Sequence, residues 1–183
     1  MITPAPGILL IADPFLKDPN FLRTVVLLCD HQDEGSFGFV LNKKIEQTLD
    51  ELLTDFEGFQ IPVYYGGPVQ PDTIHFVHQY PDLIPEAFKV SNDIYWGGNF
   101  ETVRALIKNN SISTDRIKFF LGYSGWGNGQ LSGELDEKSW LTVGATKNLV
   151  FNTTPDNVWK GSLLHLGGEY EQLINYPVDP QLN

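Results

Sequence analysis

With 183 residues, 42% apolar content and one cysteine, the chain is sized for a single domain with its own core; neither a disordered segment nor a disulfide-stapled scaffold fits it. Twelve basic against 23 acidic residues leave a net charge of −11, which repels phosphate backbones and argues against direct DNA binding. The opening Met1-Ile2-Thr3-Pro4-Ala5-Pro6 has no basic residue and two prolines, unlike a secretory signal, and the longest apolar runs are strand-length, so the expectation is a cytoplasmic protein without a membrane segment.

Gly7 to Ala12 reads as a buried strand that stops at Asp13-Pro14, and Asp18-Pro19 repeats the punctuation. Thr24 to Asp30 is a second apolar strand. His31 to Gly35 forms a short polar link, and Ser36 to Asn42 is the returning strand, which makes this pair antiparallel. Thr48 and Glu51 have capping-box spacing before a short helix through Leu53. Ile61 to Tyr65 is a strand ending at Gly66-Gly67-Pro68, and Ile74 to Gln79 is another. Tyr95-Trp96-Gly97-Gly98 echoes Tyr64-Tyr65-Gly66-Gly67, an echo too short to count as a repeat.

Asn99 caps a helix to about Asn109 with Phe100, Val103 and Ile107 on one face. Arg116 to Leu121 is a strand, and Leu131 and Leu135 share a helical face beyond it. Trp140 to Val143 and Leu149 to Phe151 read as short strands. Thr154-Pro155 opens a last helix lined by Trp159, Leu163 and Leu166. Residues 170–183 read as an extended C-terminal tail of one 1–183 domain. Hairpin-like strand pairs separated by short helices predict an α+β fold with a mixed, largely antiparallel, β-rich core.

The densest signal is Leu121-Gly122-Tyr123-Ser124-Gly125-Trp126-Gly127-Asn128-Gly129-Gln130-Leu131. Its glycines permit positive φ and close backbone approach, and its aromatics offer apolar contact surface. It fails three catalytic templates. No Lys-Ser/Thr follows Gly129 as in a P-loop, position 130 is Gln where a dinucleotide fingerprint needs Gly, and Trp126 stands where a nucleophile elbow needs Gly. Two readings stay open: a tight strand-to-helix turn packed beneath the tryptophan, or backbone amides that hold an anion or a peptide end.

Cys29 and His31 share a face of an extended strand, which suits a thiolate–imidazole pair, yet Cys29 also completes a run of buried apolar residues. His75 and His78, three apart, fall on opposite faces of a strand and cannot ligate one metal together. Trp126, Trp140 and Trp159 read as anchors in or near the core.

In order, these segments resemble the YqgE/AlgH family of bacterial proteins. The resemblance is carried by Gly7 to Ala12, Asp18 to Phe21, Thr24 to His31, Gly35 to Asn42, Tyr65 to Val69, Gly122 to Leu131, Glu134-Leu135 and Trp140, and it thins after Leu166. It implies a compact domain on a β-rich core, a bacterial cytoplasmic setting and an inherited label of transcriptional regulator, with no transferable catalytic residues. No helix-turn-helix with a basic recognition helix, zinc finger or basic arm accompanies that label.

The reading is therefore a non-enzymatic regulatory or binding protein. Its surface is expected to use His31, Asn42, Gly66, Gly67, Pro68, Gly125, Trp126, Gly127 and Gln130 to hold a protein partner or a small anionic ligand, with no metal or cofactor. A homodimer is compatible with aromatics beside glycine turns. Two alternatives remain: a hydrolase or transferase with Cys29 or Ser124 as nucleophile and His31 as base, and a direct DNA-binding regulator.

Overall fold

The computed structural model describes residues 2–177. Ten strands form one connected sheet system: β1 (Ile8–Ala12), β2 (Val25–Gln32), β3 (Gly35–Val40), β4 (Lys44–Thr48), β5 (Pro62–Tyr65), β6 (Val69–His78), β7 (Phe88–Ser91), β8 (Ile94–Trp96), β9 (Ile117–Gly127) and β10 (Trp140–Gly144). The order is β10-β1-β2-β3-β9-β6-β8-β7, with the β4–β5 pair joined to β9 through β5. Every pairing is antiparallel except β5 with β9. The α+β fold with a mixed, largely antiparallel sheet is the one expected from the sequence.

Period-2 alternation assigns side chains to faces. Leu9 and Ile11 of β1 join Val25 and Leu27 of β2 in one core, while Ile8, Leu10 and Ala12 join Val26 and Leu28 in another. The first core also takes Val77, Val90 and Ile94 from the far strands, so the sheet curls around it. A third core lies under the helices over β5, β6 and the start of β9. The long strand β9 serves all three. Its first half lies between β5 and β6, and its second half pairs with β3.

Four α-helices cover this sheet: α1 (Leu49–Leu52), α2 (Phe100–Lys108), α3 (Gln130–Asp136) and α4 (Pro155–Leu166). Asn99 caps α2 by accepting the Thr102 N–H at 2.9 Å, as its position implies. Pro155 opens α4, and the Trp159 indole donates to the Ala12 carbonyl at 2.8 Å, tying that helix to β1. At α1 the Thr48 hydroxyl turns to the Asp50 and Glu51 carboxylates and makes no hydrogen bond to a helix backbone N–H.

Besides the capping box at Thr48, two expectations need correction. Asn148–Asn152 form a π-helical turn where Leu149 to Phe151 read as a strand; the run is too short to show a period, and Leu149 and Val150 pack into the first core from a helical turn. The region from 170 is not extended throughout: Gly168–Asn175 wind as a 3₁₀ helix that brings Tyr170, Leu173 and Ile174 against the first core. The rest of that tail, from 178 to 183, lies outside the described residues. Finally, β4, β7 and β8 went unread, being short and lacking a clean alternation.

Candidate functional site

The register of β3 against β9 creates the main concavity. Phe37 stands opposite Gly125, and Ser36 opposite Trp126. With no side chain at Gly125, the space beside Phe37 stays open. Tyr123 of β9, His75 of β6, Trp96 of β8 and Phe39 complete the walls of a cavity of about 660 Å³. That volume lies within the range of small-molecule sites. Phe37 meets Trp96 at 4.8 Å, Phe39 at 6.0 Å and Tyr123 at 6.1 Å between ring centroids, all edge to face. This arrangement sets ring edges against ring faces, where the charge distribution favours contact. At the mouth stand Asp30, Gln32 and Glu34, and among the described residues no lysine or arginine lines the cavity.

A second hollow of about 480 Å³ shares His75 and Trp96 with the first and carries Glu86 and Phe88 on its border. Phe88 is 63% exposed and stacks on Trp96 at 5.2 Å.

His75 sits between the rings of Phe39 and Tyr123, with centroids at 5.4 and 5.8 Å. The Thr73 hydroxyl gives its one proton to the Gln70 carbonyl at 2.8 Å. The 2.9 Å contact between Thr73 Oγ1 and His75 Nε2 is then an Nε2–H donation. Burial pushes the His75 pKa below its ordinary value. His78, three residues on, lies on the opposite face as expected. Its Nε2–H donates to Gly97 O at 2.9 Å and its Nδ1 accepts the Tyr80 N–H at 3.0 Å.

The residues singled out from the sequence divide into two groups. His31, Gly125 and Gly127 gather around the β2–β3 hairpin. Gly125 lines the groove, while His31 and Gly127 line a polar hollow of about 220 Å³ beside it. Ser36 borders both, with its Oγ 2.6 Å from His31 Nδ1. Trp126 also touches the groove, but its indole packs with Phe21 and Trp140 in the outer core. Gln130 accepts the Gly127 N–H at 3.0 Å and donates to Glu134 at 3.1 Å, closing the turn into α3.

The second group does not line the groove and holds strands together. Gly66 and Gly67 lie flat against the β9 backbone, and a Cβ on Gly67 would collide with Tyr123 and Ser124. Pro68 is exposed beside them. Asn42 accepts the Val25 N–H at 3.0 Å and donates to Arg23 O at 2.9 Å, fastening the end of β3 to the start of β2.

Neither proposed nucleophile faces solvent. Ser124 is fully buried and donates to Gly66 O at 3.0 Å. Cys29 is buried at a bulge in β2, where burial and the neighbouring Asp30 push its thiol pKa far up. Sequence reasoning missed Lys118. Its ammonium, 7% exposed, donates to Leu41 O at 2.9 Å and Val150 O at 3.2 Å and stands 4.0 Å over the Tyr64 ring. The available signal was a lysine inside the apolar run Ile117 to Leu121. Of the groove walls, only Tyr123 had drawn attention as contact surface; Phe37 and Phe39 were legible as one face of a strand but not as a wall.

Among the described residues, no helix is long and apolar enough to cross a membrane, and no group of three or more His, Cys, Asp or Glu could hold a metal ion. A family described as AlgH-like matches residues 9–171. A UPF0301 protein of Chlorobium limicola is 43% identical over 178 residues, covering 97% of this chain and 95% of that protein. A UPF0301 protein of Parabacteroides distasonis is 41% identical over 184 residues, covering 100% and 93%. Among solved structures, the AlgH protein of Pseudomonas aeruginosa is similar with a TM-score of 0.74 at 27% identity, covering 97% of this chain and 98% of that one. Protein DIP2367 of Corynebacterium diphtheriae shares the fold, with a TM-score of 0.81 at 21% identity over 96% of this chain and 94% of that one.

Proposed function

The chain belongs to the AlgH-like family, and we propose that it acts as a non-enzymatic binding protein of the cytoplasm that holds a small molecule in the groove between β3, β6, β8 and β9. The observation that carries this reading is the open space above Phe37, created by Gly125 and walled by aromatic rings already in mutual contact. A preformed apolar hollow with few polar groups at its edge is the usual form of a small-ligand site. A regulatory role fits this reading if it runs through the ligand or a protein partner, because a net charge of −11 opposes a direct grip on DNA. The hydrolase alternative draws no support from a buried Ser124 or a buried Cys29.

Gly125→Leu tests the reading. A Cβ there would meet Tyr123 Cε2 at 3.5 Å and Val69 Cγ2 at 3.7 Å, ordinary contacts with two groove residues, so the variant is expected to fold with its side chain in the groove, which a far-ultraviolet CD spectrum like the parent's checks. A metabolite screen by thermal shift is expected to give hits that stabilise the parent chain and leave Gly125→Leu unmoved. A screen without hits, or hits indifferent to the substitution, removes the proposal.

A further inference from the structure

Resting on the groove reading, we infer the chemical class of its ligand: a small organic cation, an ammonium carried on an aromatic or alkyl body. Phe37, Trp96 and Tyr123 line the cavity, and aromatic rings attract cations over their faces, most strongly where water is displaced. The carboxylates of Asp30 and Glu34 stand at its mouth, and Glu86 borders the adjoining hollow beyond Trp96. Among the described residues, no lysine or arginine lines either hollow, so an entering cation meets no like charge from a basic side chain.

The one titratable cation-former in the wall, His75, is partly buried, and burial favours its neutral ring. An anion would meet Asp30 and Glu34 at the entrance and gain no cationic partner inside. The net charge of −11 adds a long-range field that draws cations toward the surface. A cavity of about 660 Å³ suits one small molecule, with the charged head at the carboxylates and the body against the rings.

Three probes of matched shape separate charge from shape: 2-phenylethylammonium, 2-phenylethanol and phenylacetate. Each is titrated into the full chain at neutral pH and followed by amide chemical-shift changes at Phe37, Trp96 and Tyr123. The ammonium is expected to bind at least about tenfold more tightly than the alcohol, with phenylacetate weakest. The double variant Asp30→Asn, Glu34→Gln is expected to bring the ammonium to the alcohol's level and leave the alcohol unchanged; both positions are partly or fully exposed, so the fold tolerates the change. An alcohol or phenylacetate that matches the ammonium, or an ammonium advantage that survives the double variant, overturns the cation assignment. In that case, alcohol binding that Gly125→Leu abolishes keeps the groove itself as a binding site. Silence from all three probes overturns the cation assignment, and the groove reading then stands or falls on the metabolite screen with Gly125→Leu.

Discussion

Trp126 and Trp140 share one acceptor: both indole N–H groups donate to Glu134 Oε2, at 2.9 and 2.7 Å. Three segments, the end of β9, α3 and the start of β10, are fastened by this single oxygen. Glu134→Ala leaves two indole donors in the outer core without a partner, which costs on the order of 2–4 kcal/mol. Glu134→Gln keeps a carbonyl oxygen in reach and is expected to lose about 1 kcal/mol. Urea denaturation midpoints of the two variants check the order; equal losses would mean that the shared acceptor contributes little.

Two glycines of the sequence motifs should respond in opposite ways. Gly67 has φ +155° and its added Cβ would run into the β9 backbone, so Gly67→Ala is expected to cost about 3 kcal/mol or more. Gly127 has open space around it and no positive φ, so Gly127→Ala should stay within about 0.5 kcal/mol of the parent. Thermal denaturation of both side by side decides the matter, and a tolerated Gly67→Ala would contradict the close approach described here.

Burial lowers the Lys118 pKa from the ordinary lysine value to about 7. Tyr64 and Asp115 line the same small hollow, and no ion pair to Lys118 is formed among the described residues. With the folded pKa below the unfolded one, the unfolded chain holds more protons between about pH 7 and 10.5. Lys118 therefore makes stability rise with pH across that window, by a total on the order of a few kcal/mol. Below pH 7 both states are charged and the burial cost is fully present. The stability difference, Lys118→Met minus parent, should be greatest near pH 6 and decline towards pH 10.5. Denaturation curves at stepped pH measure it, and a pH-independent difference would assign the amine no titration in the fold.

His75 gives the cation site its own pH dependence. Its pKa lies below the ordinary histidine value, so the ring is neutral at pH 7 and takes up a proton only as the solution becomes more acidic. A charged imidazole between Phe39 and Tyr123 opposes a bound ammonium. Affinity for 2-phenylethylammonium should fall as the pH drops below the ordinary histidine range, while His75→Gln, which can still donate toward Thr73, binds with a flatter profile. Titration calorimetry of both proteins across that range is the check, and parallel profiles would clear His75 of the effect.

The strands around β1, β2 and β3 were readable because Ile8 to Ala12, Val25 to Cys29 and Phe37 to Leu41 are buried on both faces or alternate between two cores. Leu149 to Phe151 misled for the same reason: a short apolar run has no period, and only tertiary packing decides whether it extends or coils. The groove was hidden more deeply. Its walls come from four strands, and Phe37 meets Trp96 across the two intervening strands β9 and β6 because the sheet curls. The echo between Tyr65-Gly66-Gly67 and Trp96-Gly97-Gly98 marks two strand exits: Gly66 N–H donates to Leu121 O and Gly97 N–H to Phe76 O, both at 2.9 Å. Trp126 and Gln130 stood out as candidates for recognition because their partners Glu134 and Trp140 lie ahead in the chain, and a sequence motif does not reveal which neighbours its side chains satisfy.

Because β3, β5 and β6 all pair with β9, the first 116 residues hold strands whose common neighbour has not yet been made. During synthesis those edges wait, open to pairing with other chains, until residue 127 has cleared the ribosome. A split or truncation upstream of β9 should thus yield an aggregating fragment instead of an autonomous half, and the polypeptide commits to its shape late and all at once.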